Sequence, residues 1–218
     1  MREIACLCLA SLMMAADQPV TWNFDSIDRI GGNLVTVLGH PRVIDTPKGK
    51  AVEFNGVDDA LFLNVHPLAG AREFTWEVVF RPDSDGSKEQ RFFHLQEVDP
   101  KTGEDTDTRM LFEIRLADGH WFLDSFALSP GGSQALFNQD HLHPAGKWYH
   151  VAAVYDGKAF RNYVDGVLEN SAEVPLKPQG AGRTSVGVRI NRVDYFKGAI
   201  LKARMTRRAL TPVQFLKK

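Results

Sequence analysis

The residues of this chain best suited to chemistry sit inside strand-like runs. Glu77 lies in FTWEVVFRP, His94 and Gln96 in RFFHLQE, Glu113 and Arg115 in MLFEIRL, His150 in WYHVAAVY, Asn162 in FRNYVDG and Arg189 in TSVGVRIN. Histidine changes charge near neutrality and can move a proton there, and a carboxylate can share that work. Guanidinium and amide groups can hold an anionic or hydroxyl-rich ligand. Side chains alternate across a strand. Alternation therefore puts Trp76, Val78 and Phe80 on a core face with Glu77 opposite. Likewise Met110, Phe112 and Ile114 read as core, with Glu113 and Arg115 pointing the other way together. It groups His94 and Gln96 with Phe92, His150 with Trp148 and Ala152, Asn162 with Phe160, and Arg189 with Gly187 and Asn191. On one sheet face, Glu77, His94, Gln96, Glu113, Arg115, His150, Asn162 and Arg189 would be costly to bury unless paired or used. A slip of one residue in any strand would move its set to the other face.

Other motifs are weaker. His141 and His143 in QDHLHPAG have an i,i+2 metal-pair spacing beside Asp140, but Pro144 and the lack of a further nearby ligand favour a loop. ALSPGG lacks the glycine that precedes the serine of a nucleophile elbow, and no phosphate-loop or dinucleotide pattern occurs.

The elements that must position these residues are short strands. Turn pairs recur at Asn55-Gly56, Asp85-Gly86, Asp118-Gly119, Asp156-Gly157 and Asp165-Gly166, with apolar or alternating runs between them. Helical periodicity is confined to SIDRI and TPVQFL. The pattern predicts an all-β fold, a two-sheet antiparallel sandwich, as one domain over residues 17–218. With 26 basic and 27 acidic residues the net charge is −1, which disfavours nucleic acid as a partner. Residues 1–16, MREIACLCLASLMMAA, have the order of a signal peptide: Arg2, an apolar Ile4–Met14 and small Ala15-Ala16, with Glu3 departing from the pattern. Export to the periplasm or outside the cell is the expectation, and the segment is too short to span a membrane. Both cysteines, Cys6 and Cys8, lie within it.

Four stretches occur in the order seen in laminin G-like domains of the concanavalin A-like lectin/glucanase superfamily. They are KAVEFNGVDDALFL, REFTWEVVFRPDSDG, GKWYHVAAVYDGKAFRNYVDGVL and DYFKGAILKARMTRRALTPVQF. The chain resembles that family from about Lys50 to Phe215. The resemblance implies a jelly roll with a concave sheet that often binds ligand, and a carbohydrate partner. It implies no cofactor beyond a possible calcium ion at a rim, with Asp58 and Asp59 as candidate ligands and Asp25 and Asp28 as others. The family's jelly-roll glucanases place carboxylates along one strand, but here Glu97-Val98-Asp99 is interrupted by Pro100. Its alginate lyases use Arg, Gln, His and Tyr strands, matched in type by Glu113 and Arg115, His94 and Gln96, and Tyr195 and Lys197, in a different order. Three functions stay open: an exported protein that binds a glycan on the concave face, a small polysaccharide lyase or glycoside hydrolase, or a structural or adhesion domain. In the enzyme, His94 or His150 would be base or acid and Glu113 their partner, while Glu77, Gln96, Arg115, Asn162 and Arg189 hold the substrate.

Overall fold

A computed structural model describes residues 18–217. The signal-peptide reading of residues 1–16, with Cys6 and Cys8, lies outside them. Its strands, in chain order, are β1 (Val20–Asn23), β2 (Arg29–Ile30), β3 (Asn33–Leu34), β4 (Thr36–Leu38), β5 (Arg42–Thr46), β6 (Gly49–Asn55), β7 (Ala60–Leu63), β8 (Phe74–Pro82) and β9 (Glu89–Val98). They continue with β10 (Asp105–Ala117), β11 (His120–Ser129), β12 (Gly132–Phe137), β13 (His143–Pro144), β14 (Tyr149–Tyr155), β15 (Ala159–Val164), β16 (Val167–Glu173), β17 (Gly182–Val186) and β18 (Lys197–Thr206). One sheet runs β16-β15-β14-β8-β18-β6-β5, with β1 beside β18. The other runs β12-β11-β10-β9-β17-β7-β4, with β13 beside β11. The pairings are antiparallel, so the expected jelly-roll sandwich is what forms.

Aromatic side chains fill the space between the sheets. Trp76 of β8 meets Phe112 of β10 at 4.3 Å between ring centroids, and Phe80 stacks on Phe92 at 4.5 Å. Trp22, Phe24, Phe54, Trp121, Phe160 and Phe196 complete a core shut off from water. Burial of this much aromatic surface supplies most of the drive that holds the two layers together.

The turn pairs behave in two ways. Asp118-Gly119 and Asp165-Gly166 have φ of 49° and 70°, and 50° and 80°. Both close two-residue hairpins, Ala117 opposite His120 and Val164 opposite Val167, as their twist requires. Asp156-Gly157 closes a wider hairpin between Tyr155 and Phe160. Asn55-Gly56 and Asp85-Gly86 instead carry the chain from one sheet to the other. SIDRI forms no helix, and TPVQFL contains one 3-10 turn, Pro212–Gln214.

Two features decide which face is open. Leu210 and Phe215 of the C-terminal segment pack on Ala152, Val154 and Tyr163, so this segment covers part of the outer face of the β8–β14–β15 sheet. On β9 the pairing with β10 shifts between Phe112 and Glu113: Phe93 lies opposite Phe112, and Arg91 opposite Glu113. Phe92 is the extra residue of a bulge, and both Phe92 and Phe93 enter the core. The bulge corrects the expected grouping of Phe92 with His94 and Gln96, and it turns Arg91 outward.

Candidate functional site

The uncovered outer face of β10, β11 and β12 carries a ladder of side chains in register. Leu111, Phe126 and Ala135 form one row, and Glu113, Asp124 and Phe137 the next. Arg115 lies beside Phe122 in the third. Phe122 and Phe126 are half-buried and Phe137 is 53% exposed. Two adjoining depressions share Arg115 and Asp124 in their walls. One, of about 480 Å³, includes Lys88, Glu89, Phe122, Phe137 and Gln139; the other, of about 220 Å³, includes Arg91, Arg109, Glu113, Phe126 and Arg189.

Charges on this face are paired in part. Arg115 donates Nε and one terminal nitrogen to the same Asp124 oxygen at 3.0 and 2.9 Å, and it also pairs with Glu89. Arg91 Nε lies 3.3 Å from a Glu113 oxygen, and its guanidinium also contacts Asp194. Burial pushes the Glu113 carboxyl up, Asp124 adds to the rise, and Arg91 and Arg115 oppose it. Burial likewise raises Asp124 against the pull of Arg115.

Arg189 reaches the same face from beyond the end of β17. Gly187 makes the turn at φ +85°, where a Cβ would stand 2.4 Å from the Phe54 ring, so no other residue fits there. The loop is then tied to β9 by the Ile190 N–H, which donates to His94 Nδ1 at 2.9 Å. Burial, followed by Arg189 and Arg109, drives the His94 pKa down to about 3. His94 is therefore a neutral ring behind the site.

A laminin G family model of the concanavalin A-like lectin/glucanases superfamily matches residues 55–214. The chain belongs to that superfamily. Among solved structures it is similar to domain 4 of AbnA, an extracellular GH43 arabinanase from Geobacillus stearothermophilus, in complex with arabinotriose. That likeness has a TM-score of 0.65 at 22% identity, over 91% of this chain and 96% of that one. It is also similar to the binding domain of Paraclostridial Mosquitocidal Protein 1, with a TM-score of 0.62 at 15% identity over 91% of this chain and 51% of that one. The botulinum neurotoxin type G receptor-binding domain gives 0.59 at 12% identity over 89% and 49%. The chain thus spans about half the length of the two toxin domains, and at these identities the likeness is one of fold. No curated protein sequence matches the chain significantly.

The expected cluster is divided among four places. Glu113, Arg115 and Arg189 share the open face. His94 faces the same side but is 0% exposed, so it does not touch a ligand there. Gln96 is buried too, and its amide donates to the carbonyls of Glu97, Thr106 and Thr108, bracing the irregular start of β10 against β9. Glu77 and His150 lie on the other sheet, under the C-terminal segment. There Glu77 accepts from His150 Nε2 at 3.0 Å, from Arg204 Nε at 2.5 Å and from the Leu216 N–H at 2.6 Å. Asn162 points into the core, where its amide nitrogen donates to Ser125 Oγ at 3.3 Å and the Leu136 carbonyl at 3.1 Å across the sandwich. His94, Gln96, Glu77, His150 and Asn162 make structural contacts, because strand alternation gives a residue's face but not which sheet it belongs to or what covers it.

Asp58 and Asp59 do not fit a calcium site. The two oxygens of Asp59 accept the His40 and Asn55 N–H groups, and Asp58 accepts from the Asn55 amide. Among the described residues no three His, Cys, Asp or Glu side chains gather into one metal-holding cluster. His141 and His143 both approach Glu169 of β16, at 3.5 and 2.7 Å, bridging the two sheets. Tyr195 and Lys197, part of the lyase-like pattern, flank the start of β18 in the opposite sheet from Glu113 and Arg115. Arg91, Arg109 and Asp124 went unread in the sequence. Counting outward from the Asp118-Gly119 turn places Asp124 opposite Glu113, and that signal was present.

Proposed function

We propose that this protein binds a glycan on the outer face of β10, β11 and β12. The observation that carries this is the juxtaposition of Phe122, Phe126 and the exposed Phe137 with charged and amide groups around two adjoining depressions. A sugar ring offers an apolar face and a rim of hydroxyls, which such a surface can stack on and hydrogen-bond. A larger depression of about 540 Å³ beside Arg42, Glu53, Asp83 and Lys197 is a poorer candidate. Its charged groups are largely paired among themselves or with Arg81 and Asp85, and Phe54 in its wall belongs to the core. Support of a general kind comes from the arabinanase domain seen with arabinotriose. The protein would act after export, directed by residues 1–16; among the described residues no helix is long and apolar enough to cross a membrane.

Affinity electrophoresis through gels holding single polysaccharides tests the proposal. Retardation in at least one gel, weakened about tenfold by Phe137→Ala, is expected. Unhindered migration across neutral, uronate and sulfated polymers would end it.

A glycan-cleaving activity has one observation in its favour. Glu113 and Asp124 stand opposite one another in the same depression, and burial raises Glu113 as a general acid needs, while Arg115 holds Asp124. New reducing ends, abolished by Glu113→Gln, would establish it. The histidine-based proton abstraction expected from the sequence has no support on this face, because neither His94 nor His150 reaches it.

A further inference from the structure

We propose that Arg109 and Arg189 form a subsite for the acidic group of a sugar, a carboxylate or a sulfate ester; this rests on the glycan-binding face proposed above. The smaller depression is lined by four guanidinium groups, those of Arg91, Arg109, Arg115 and Arg189, against the two carboxylates of Glu113 and Asp124. Those carboxylates are already committed: Arg115 holds Asp124, and Arg91 and Arg115 flank Glu113. Arg109 and Arg189 have no carboxylate partner among the described residues. Arg109 donates one terminal nitrogen to the Asp107 carbonyl at 2.8 Å and lies 5.1 Å over the Phe126 ring. The Nε atoms of Arg109 and Arg189 are both buried without a hydrogen-bond partner among the described residues.

An arginine that merely decorates a surface runs its stem along the protein and leaves its head in water. These two are half-buried and close enough to matter to each other. Burial lowers the pKa of Arg189, and the neighbouring charges of Arg109 and Arg91 lower it further against the opposing pull of Glu113. Like charges held together in a partly dry depression cost free energy that an anion between them would relieve. A guanidinium fork matches the oxygens of a carboxylate or sulfate, so the subsite would orient the ligand as well as attract it. Phe126, beneath Arg109, offers an adjoining apolar surface for the ring that carries the acid. His94 lies behind the pair and stays neutral, so it adds no third charge. The loop bond from Ile190 to His94 fixes where Arg189 stands.

The test compares wild type, Arg109→Gln, Arg189→Gln and the double variant, with thermal unfolding as the check on folding. Each migrates through gels of alginate, polygalacturonate, dextran sulfate, neutral arabinan and neutral dextran, and through a gel soaked with double-stranded DNA. Wild-type retardation by the uronate gels is expected, with a loss of at least tenfold in the double variant at unchanged melting temperature. Retardation by dextran sulfate alone, lost in the same variant, also supports the subsite and assigns it to sulfate. Retardation by a neutral polymer that the variants retain overturns the acidic subsite while leaving the glycan-binding face standing. Equal retardation by DNA and the acidic polysaccharides overturns it as well, because that is attraction of any polyanion. Free migration of the wild type everywhere overturns both proposals.

Discussion

His94 Nδ1 accepts the Ile190 N–H at 2.9 Å, from a ring with no exposed surface. The bond gives the buried histidine a positioning role, since it holds the loop from which Arg189 enters the binding face. His94→Ala removes the acceptor and leaves a cavity, at an expected cost of about 2–4 kcal/mol. His94→Asn keeps an acceptor near the Nδ1 position and should recover part of that loss, together with part of any Arg189-dependent retardation. Chemical denaturation and gel retardation of the two variants check this. A purely space-filling histidine would give variants that differ in stability but not in retardation.

The same residue sets a pH dependence. Its folded pKa of about 3 lies below the ordinary 6.5, so between those values the unfolded chain binds the extra proton. Its contribution is therefore full above pH 6.5, declines as pH falls, and is gone below about 3, at up to about 1.4 kcal/mol per pH unit. Unfolding midpoints at steps from pH 7.5 to 4.5 should slope downward in the wild type and flatten in His94→Asn.

Glu77 makes the corresponding prediction for the other sheet. Burial alone would raise its pKa, but hydrogen bonds from His150, Arg204 and Leu216 win and hold it below 4.5. A lowered carboxylate pKa gives stability that is present above pH 4.5 and lost as pH falls through the folded value. Glu77→Ala strands Arg204 and His150 and releases the segment ending in Phe215, so a loss of about 3–5 kcal/mol is expected at pH 7. Retardation by glycan per folded molecule should not change. A variant that unfolds normally but loses glycan would place binding on this face instead.

Much of the architecture was legible because FTWEVVFRP and MLFEIRL alternate cleanly, and their core and outer faces are as the pattern requires. The candidate site was legible only where that alternation ran undisturbed to an open face, as at Glu113 and Arg115. Phe92-Phe93 gives no phase, since consecutive phenylalanines fit either face, and the bulge between them decides where Arg91 points. Asn162 alternates with the core residue Phe160, yet its polarity drew it into the expected site. In the fold Ser125 and the Leu136 carbonyl satisfy its amide nitrogen. The cover over Glu77 and His150 comes from residues far along the chain, with too little periodicity to announce where they dock.

Phe137 separates binding from folding. At 53% exposure at the end of β12 it contributes little to the core, so Phe137→Ala should change stability by no more than about 0.5 kcal/mol. Affinity for the retarding glycan should nevertheless fall about tenfold by calorimetric titration. Equal affinity in the variant would move the stacking surface to Phe122 and Phe126, and the corresponding alanine at Phe126 would then show the loss.

Glu113 should make recognition of an acidic sugar pH-dependent. Its raised pKa arises from burial and Asp124, against Arg91 and Arg115, and Arg189 lines the same depression. A bound carboxylate brings a further negative charge and favours the protonated form of Glu113. Affinity should therefore rise as pH falls from neutrality toward the titration of Glu113. It should drop again near pH 3–4, where a uronate itself becomes protonated, by analogy with α-carboxyl groups at roughly 3.3–3.7. Glu113→Gln mimics the protonated state, so it should bind more tightly than wild type at pH 7 and lose the acid-side rise. Titrations with an oligogalacturonide at intervals from pH 4 to 8 give both curves. A wild-type affinity that falls monotonically with acid would show that Glu113 stays ionised beside the ligand and that the arginines alone set the charge of the subsite.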